Sequence, residues 1–215
     1  RFGDYVQTEP IPGTFDRVLW RYNNSFDYAV QLGEALTAAG VTFDSVQNEN
    51  VINGDVSLGD YNSVYWILGE ESTVDETFDS TEQSLVSTYL AGGGNLFVSG
   101  AEIAWDLGWQ GSTADQSFLN GTLGVQTPSN GSTDDDAGTY SAAGSGGGIF
   151  DGISVDFSDG SSETLYDVDF PDLIKPTSGS QTIMTYTGGT GDGESAAISL
   201  TSTGKVIVMG FPFEA

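Results

Sequence analysis

The chain has 215 residues and contains neither cysteine nor histidine. The first absence removes disulfides, thiolate nucleophiles and Cys-bound metals. The second removes His-ligated zinc, Ser-His-Asp triads and any Cys-His pair. Cations are scarce as well: five Lys and Arg face 31 Asp and Glu, for a net charge of -26. A surface of that sign repels phosphate backbones and offers no basic cluster to an anionic bilayer, so neither nucleic acid nor membrane is an expected partner. No run approaches the roughly 20 apolar residues of a membrane-spanning helix. Carboxylates in such number attract divalent cations, and otherwise they keep a protein soluble in salty or extracellular surroundings. Thirty glycines notwithstanding, 38% hydrophobic residues are enough for a packed core. The length fits one domain, 1–215, with room for an insertion. The Ser/Thr/Asn/Gly/Asp-rich, cysteine-free composition points to a bacterial protein that is secreted or held at the cell surface.

Along the chain, Pro10, Pro12 and Gly13 interrupt an aromatic opening segment in which Phe15 to Trp20 reads as a short strand or an ordered loop. Ser25 to Ala39 reads as a helix with Ser25 as N-cap and Gly40 as stop. Val41 to Val46 alternates like a strand, and Asn53-Gly54 marks a turn in the polar stretch after it. Ser63 to Leu68 is nearly continuous in apolar residues, as a central parallel strand covered on both faces would be. A helix follows to about Leu90, with two capping-box registers, Ser80 with Gln83 and Asp79 with Glu82. Asn95 to Ser99 is a further buried strand, Gly100 to Asp106 a tight turn, and Thr113 the cap of a short helix. This strand–helix alternation predicts an α/β fold, a doubly wound and mainly parallel flavodoxin-like sheet. From 125 to 200 the texture becomes β-rich, with short strands expected at Ile149 to Phe157, Glu163 to Asp169, Thr182 to Thr187 and Ala196 to Leu200. Val206 to Met209 is placed to rejoin the main sheet.

Ligands of open α/β sheets sit beyond the carboxyl ends of the strands. The acids that fall there are Glu70 and Glu71, Glu102 and Asp106, and Glu214. Two at ~5–9 Å would suit glycosidase acid/base chemistry, and three around one point a hard cation. Equally, an acid at a strand end caps the next helix and favours its dipole. Asp134, Asp135, Asp136, Asp167 and Asp169 resemble calcium ligands but lack EF-hand spacing, and turns use Asp freely. Calcium is therefore the one cofactor left open. Gly144 to Gly148 lacks the Lys-Ser/Thr end of a phosphate loop. Trp66 and Trp105 could stack on sugars, although a Trp in or beside a central strand usually belongs to the core.

Three runs carry a family likeness: Trp66 to Phe78, Gly93 to Leu107, and Gly210-Phe-Pro-Phe-Glu214. With Ser25 to Tyr28 and Tyr166 to Pro176, they make the chain resemble the class I glutamine amidotransferase-like domain of large secreted bacterial proteins, some of them called xanthan lyases or amidases. The resemblance implies a flavodoxin-like sheet with a nucleophile elbow after a central strand. The elbow matches Ser99-Gly100-Ala101-Glu102-Ile103, where Ala101 or Glu102 stands in place of the nucleophilic Cys. The partner His is missing with all other histidines, so the likeness carries the fold without the glutaminase activity. It also implies a strand before Arg1 and a helix after Ala215, so the chain is expected to be a piece of a larger protein.

The expected function is therefore that of a catalytically inactive accessory, binding or scaffolding module. Its partners would be other domains of the parent protein, extracellular polysaccharide or further copies of itself. The alternatives are a carboxylate-based glycoside hydrolase or polysaccharide lyase, and an extracellular assembly subunit.

Overall fold

A computed structural model of the chain describes residues 8–10, 16–18, 28–73, 76–127, 139–161 and 166–215. Two short antiparallel strands, β1 (Thr8–Pro10) and β2 (Asp16–Val18), form a ribbon of their own. Helix α1 (Tyr28–Ala38) ends at the expected Gly40, whose amide bonds Thr37 O at 3.0 Å; the expected cap Ser25 lies outside the described residues. Residues 41–47 are not a strand, and Val41, Phe43 and Val46 are exposed there. Short helix α2 (Asn48–Ile52) follows, then the Asn53-Gly54 turn.

The main sheet corrects the expected fold class. It has seven strands in the order β3-β4-β9-β8-β7-β5-β6, and it curls into a half-barrel. Its strands are β3 (Ser63–Gly69), β4 (Asn95–Gly100), β5 (Ser141–Gly144), β6 (Ser154–Asp156), β7 (Ser180–Tyr186), β8 (Ser195–Thr201) and β9 (Lys205–Met209). Only β3–β4 and β4–β9 are parallel; the other four pairings are antiparallel. The molecule is thus a mixed curled sheet and not a doubly wound, flavodoxin-like one. The cause is connection length. A parallel neighbour needs a crossover of a dozen or more residues, which helix α3 (Ser80–Ala91) supplies between β3 and β4. Thr187 to Glu194 and Ser202 to Gly204 are too short for that, so β7, β8 and β9 can only run as hairpins. The β-rich half is consequently no separate extension: β9 rejoins the sheet between β4 and β8 and carries the others with it. Strand β3, expected at the centre, is an edge strand among the described residues, and its Tyr65 is 42% exposed.

Alternation along each strand builds two cores. Leu96, Val98, Val206, Val208 and Ile198 face α2, α3 and the residues 103–123, where Val86, Leu90, Ile103, Leu107, Leu119 and Leu123 meet them. Ala197 and Met209 face the other way with Phe97 and Ile207, towards Phe157, Tyr166, Val168, Tyr186 and Phe211. Phe157 stacks on Phe211 with ring centroids 4.7 Å apart. Among the described residues, loops and not helices cover this second face.

Local capping follows the sequence with two corrections. Helix α3 uses the Asp79–Glu82 register: Asp79 Oδ1 accepts from the amides of Thr81 and Glu82, both at 2.8 Å, and Glu82 accepts from the Asp79 amide at 2.8 Å. Gln83 is taken elsewhere, donating to Phe78 O and to Asp115 Oδ1, which removes the rival register. Helix α4 (Thr113–Phe118) is capped by Ser112 rather than Thr113, again in a reciprocal box, with Asp115.

Candidate functional site

At the carboxyl ends of β3 and β4 the two chains come so close that side chains have no room. Gly69 and Gly100 stand opposite each other, and the Ala101 amide donates to Gly69 O at 2.8 Å. A Cβ on Gly100 would lie 2.8 Å from Leu68 Cβ and 3.1 Å from Gly69 O, so that position takes glycine alone. The turn then places Glu102 at φ 57°, a left-handed conformation that non-glycine residues rarely adopt. Asp172 holds the next residues. It is fully buried, and its carboxylate accepts from the amides of Ala104 and Trp105 at the start of the helical turns 103–110. Its own amide donates to Gly210 O at 2.6 Å. The Tyr186 hydroxyl reaches both Asp172 O, at 2.9 Å, and Gly210 O, at 3.1 Å.

Glu70 lies just beyond β3, mostly buried, with Oε1 accepting from the Asp169 amide at 3.2 Å. Burial pushes its carboxyl up to about 8, and the charges of Asp169, Asp167 and Glu102 push the same way. The Asp169 amide opposes the shift without cancelling it. Burial and like charge therefore favour the protonated form of Glu70.

Of the acids expected to converge, Glu70 feels the charges of Asp169, Asp167 and, least, Glu102, but no three acids among the described residues form one group. Glu71 closes the turn after β3 through its amide on Leu68 O at 3.0 Å. Asp106 serves a structural contact: its Oδ2 accepts from the amide and the hydroxyl of buried Thr77, at 2.9 and 2.7 Å. Glu214 is buried in an environment of its own, where Tyr166 donates to Oε1 at 2.7 Å and Oε2 has no hydrogen-bond partner. Burial lifts it to about 7 against the opposing pull of the Tyr166 hydroxyl. Of the proposed calcium ligands, Asp134, Asp135 and Asp136 fall outside the described residues. Asp167 accepts from the Tyr140 hydroxyl at 3.4 Å, and no three acids among the described residues are grouped to hold a metal ion. Trp66 belongs to the core, 5.2 Å from Phe78 ring to ring. A shallow apolar groove of about 470 Å³ runs between α1 and Phe43, lined by Ala29, Val30 and Gly33 among others, none of them an acid of this cluster.

Sequence reasoning missed Asp172 and Tyr166 as organising residues. For Asp172 a signal was available: in Phe170-Pro-Asp-Leu-Ile174 a lone carboxylate sits between apolar neighbours, and a carboxylate buried that way needs donors.

No protein-family model and no curated protein matches the chain. Solved structures do resemble it. One is the β-galactosidase from Rahnella sp. R3, with TM-score 0.54 and 16% identity over 86% of this chain and 24% of that one. Two cytoplasmic proteins of Salmonella typhimurium follow, each with TM-score 0.53 over 95% of this chain and 82% of theirs, at 15% and 13% identity. The chain thus spans about a quarter of the β-galactosidase. At these identities the likeness is one of fold, shared with part of a glycosidase chain and with most of two cytoplasmic proteins.

Proposed function

We propose that the chain is a non-catalytic, amidotransferase-like accessory module of a secreted bacterial protein, one that binds or scaffolds and does not turn over a substrate. The observation that carries this reading is the turn after β4. It holds Glu102 in a left-handed conformation, and Ala101 or Glu102 stands at the position where the resemblance places a nucleophile. A carboxylate there has no imidazole to activate it and no thiol beside it, because the chain contains neither. The Rahnella likeness is compatible with a module, since it covers a minor part of a longer chain. A contact face is available along Tyr65, Phe97 and Phe213, whose rings stand 5.6 and 5.9 Å apart and of which Tyr65 and Phe213 are exposed. It suits a neighbouring domain or a polysaccharide. Ammonia release from glutamine by the purified chain tests the reading: we expect none above the solvent rate, and saturable turnover that disappears in Glu102→Ala would sink it.

A second reading is favoured by the raised acidity of Glu70, to which burial and the charge of Glu102 both contribute. An acid held in its protonated form can serve as general acid on a glycoside with a second carboxylate as base or nucleophile. Hydrolysis of an aryl glycoside that is lost in both Glu70→Gln and Glu102→Gln would replace the first reading with this one.

A further inference from the structure

The second face of the sheet is covered over only part of its height. Phe157, Tyr186 and Phe211 share a core with Met209 and Ala197, which pair at the carboxyl end of β9. Nearer the amino ends of the parallel strands the same face is open. Register sets one row across it: Tyr65 beside Phe97, Phe97 beside Ile207, Ile207 beside Ser199, and Ser199 beside Gln181. Tyr65 and Gln181 are exposed, and the three residues between them are half-buried. The next row outward runs Asn95, Lys205, Thr201, with Lys205 and Thr201 exposed. Alternation puts both rows on one side, since Val206, Val208 and Ile198 face the first core. Phe213 adds a third ring, edge-on to Phe97 at 5.9 Å and 38% exposed. The chain has 31 acidic residues, yet neither row contains one, and Lys205 is the single charge on them.

We propose that this open half of the sheet is a binding platform for a neutral polysaccharide. The proposal rests on the reading of the chain as a binding module and names what it binds. A sugar ring has a face of C–H bonds and a rim of hydroxyls. The C–H bonds carry partial positive charge and suit the negative face of an aromatic ring. Tyr65 and Phe97 adjoin across β3 and β4 with centroids 5.6 Å apart, so a chain of sugars would lie across the strands. Gln181, Ser199 and Thr201 supply amide and hydroxyl groups to the rim. Charge selects the partner. A net charge of -26 repels a polyanionic glycan and equally a second copy of this chain. A cationic partner would be drawn to the acids elsewhere and would meet Lys205 here. Protein interfaces are depleted in Ser and Lys, so a neighbouring domain suits these rows less well. A neutral glycan needs no counter-charge and finds no carboxylate on either row.

Affinity electrophoresis of the whole chain, in native gels holding hydroxyethyl cellulose, galactan or polygalacturonate, tests this. We expect at least one of the two neutral polymers to retard the chain and polygalacturonate to leave it unretarded. Tyr65→Ala should raise the polymer concentration needed by about threefold to tenfold, and Tyr65→Phe, which keeps the ring, should retain most of the binding. Gln181→Ala, exposed and away from the rings, should weaken binding less and serves if Tyr65→Ala does not fold. Trp109→Ala removes a ring as exposed as Tyr65 from the turns over the opposite face and should change nothing. Free migration in both neutral gels, retardation by polygalacturonate, or an equal loss in Trp109→Ala and Tyr65→Ala would each overturn the proposal. Reducing sugar measured in the same mixtures separates the two readings. Its release from a retained polymer would remove the non-catalytic reading and leave the platform. Free migration without release would remove the platform and leave that reading.

Discussion

The turn that follows β4 and the turn that follows β3 touch through the Ala101 amide on Gly69 O, yet their carboxyl groups do different work. Behind the β4 turn stands Asp172, fully buried and given two main-chain donors, Ala104 and Trp105. Beside the β3 turn stands Glu70, given one amide and exposed to the charges of Asp169, Asp167 and Glu102. A buried acceptor matched to backbone donors acts as a fixed part of the framework, because those donors would otherwise go unsatisfied. A half-buried carboxyl that feels other carboxylates is favoured in its protonated form, so its charge state depends on pH. Burial by itself therefore predicts neither behaviour; the identity of the neighbours does.

The largest break in that comparison should come from Asp172→Ala. It leaves two amides at the start of the 103–110 turns without acceptors in a dry environment. We expect a loss of at least about 3 kcal/mol in urea unfolding, with Asp172→Asn, which keeps one acceptor oxygen, costing about half as much. An Asp172→Ala loss under ~1 kcal/mol would mean that water replaces the carboxylate and that the contrast between the two turns is overstated.

Gly100→Ala probes the point where the turns meet. The added methyl would press on Leu68 Cβ and Gly69 O, which belong to a strand and cannot rotate aside. Overpacking of this kind costs about 1–3 kcal/mol, and β3 would have to move relative to β4. A neutral substitution, measured by thermal or urea unfolding, would show that the two strand ends are looser than their contacts imply.

How much of this could be read before the structure depends on the range of the interaction. The cap of α3, the Gly40 stop, and strands β4, β7, β8 and β9 were legible because they rest on residues within a few positions of one another. The Asp79 register was one of two candidates, and the choice was made by Asp115, 32 residues from Gln83, which no local pattern displays. The sheet was misread because Ser63 to Leu68 looks as apolar as a central strand, while its edge position depends on which chains pair beside it. The three-residue connection Ser202 to Gly204 did contain the needed information, since so short a link forces a hairpin. The rule that strand ends converge placed Glu70 and Glu102 beyond β3 and β4, and the two feel each other's charge. Asp169 and Glu70 are 99 residues apart, and nothing in the sequence joins them.

The smallest expected effect concerns Glu102, which differs from its surroundings in two ways at once: it holds a left-handed backbone, and it adds a negative charge opposite Glu70. Two substitutions separate these. Glu102→Gln keeps the backbone problem and removes the charge; Glu102→Gly removes both. The left-handed region costs an ordinary residue about 1–2 kcal/mol, and glycine gives back about 0.5–1 kcal/mol of that through the greater freedom of its unfolded chain. Glu102→Gly should therefore be more stable than Glu102→Gln by about 0.5–1 kcal/mol at any pH. The gain of Glu102→Gln over the native chain should appear mainly above pH 8, where Glu70 is ionised in the folded protein and the two charges repel. If the glycine variant is no more stable than the glutamine variant, the turn after β4 is not strained. The left-handed Glu102 would then be a conformation that the turn tolerates at little cost.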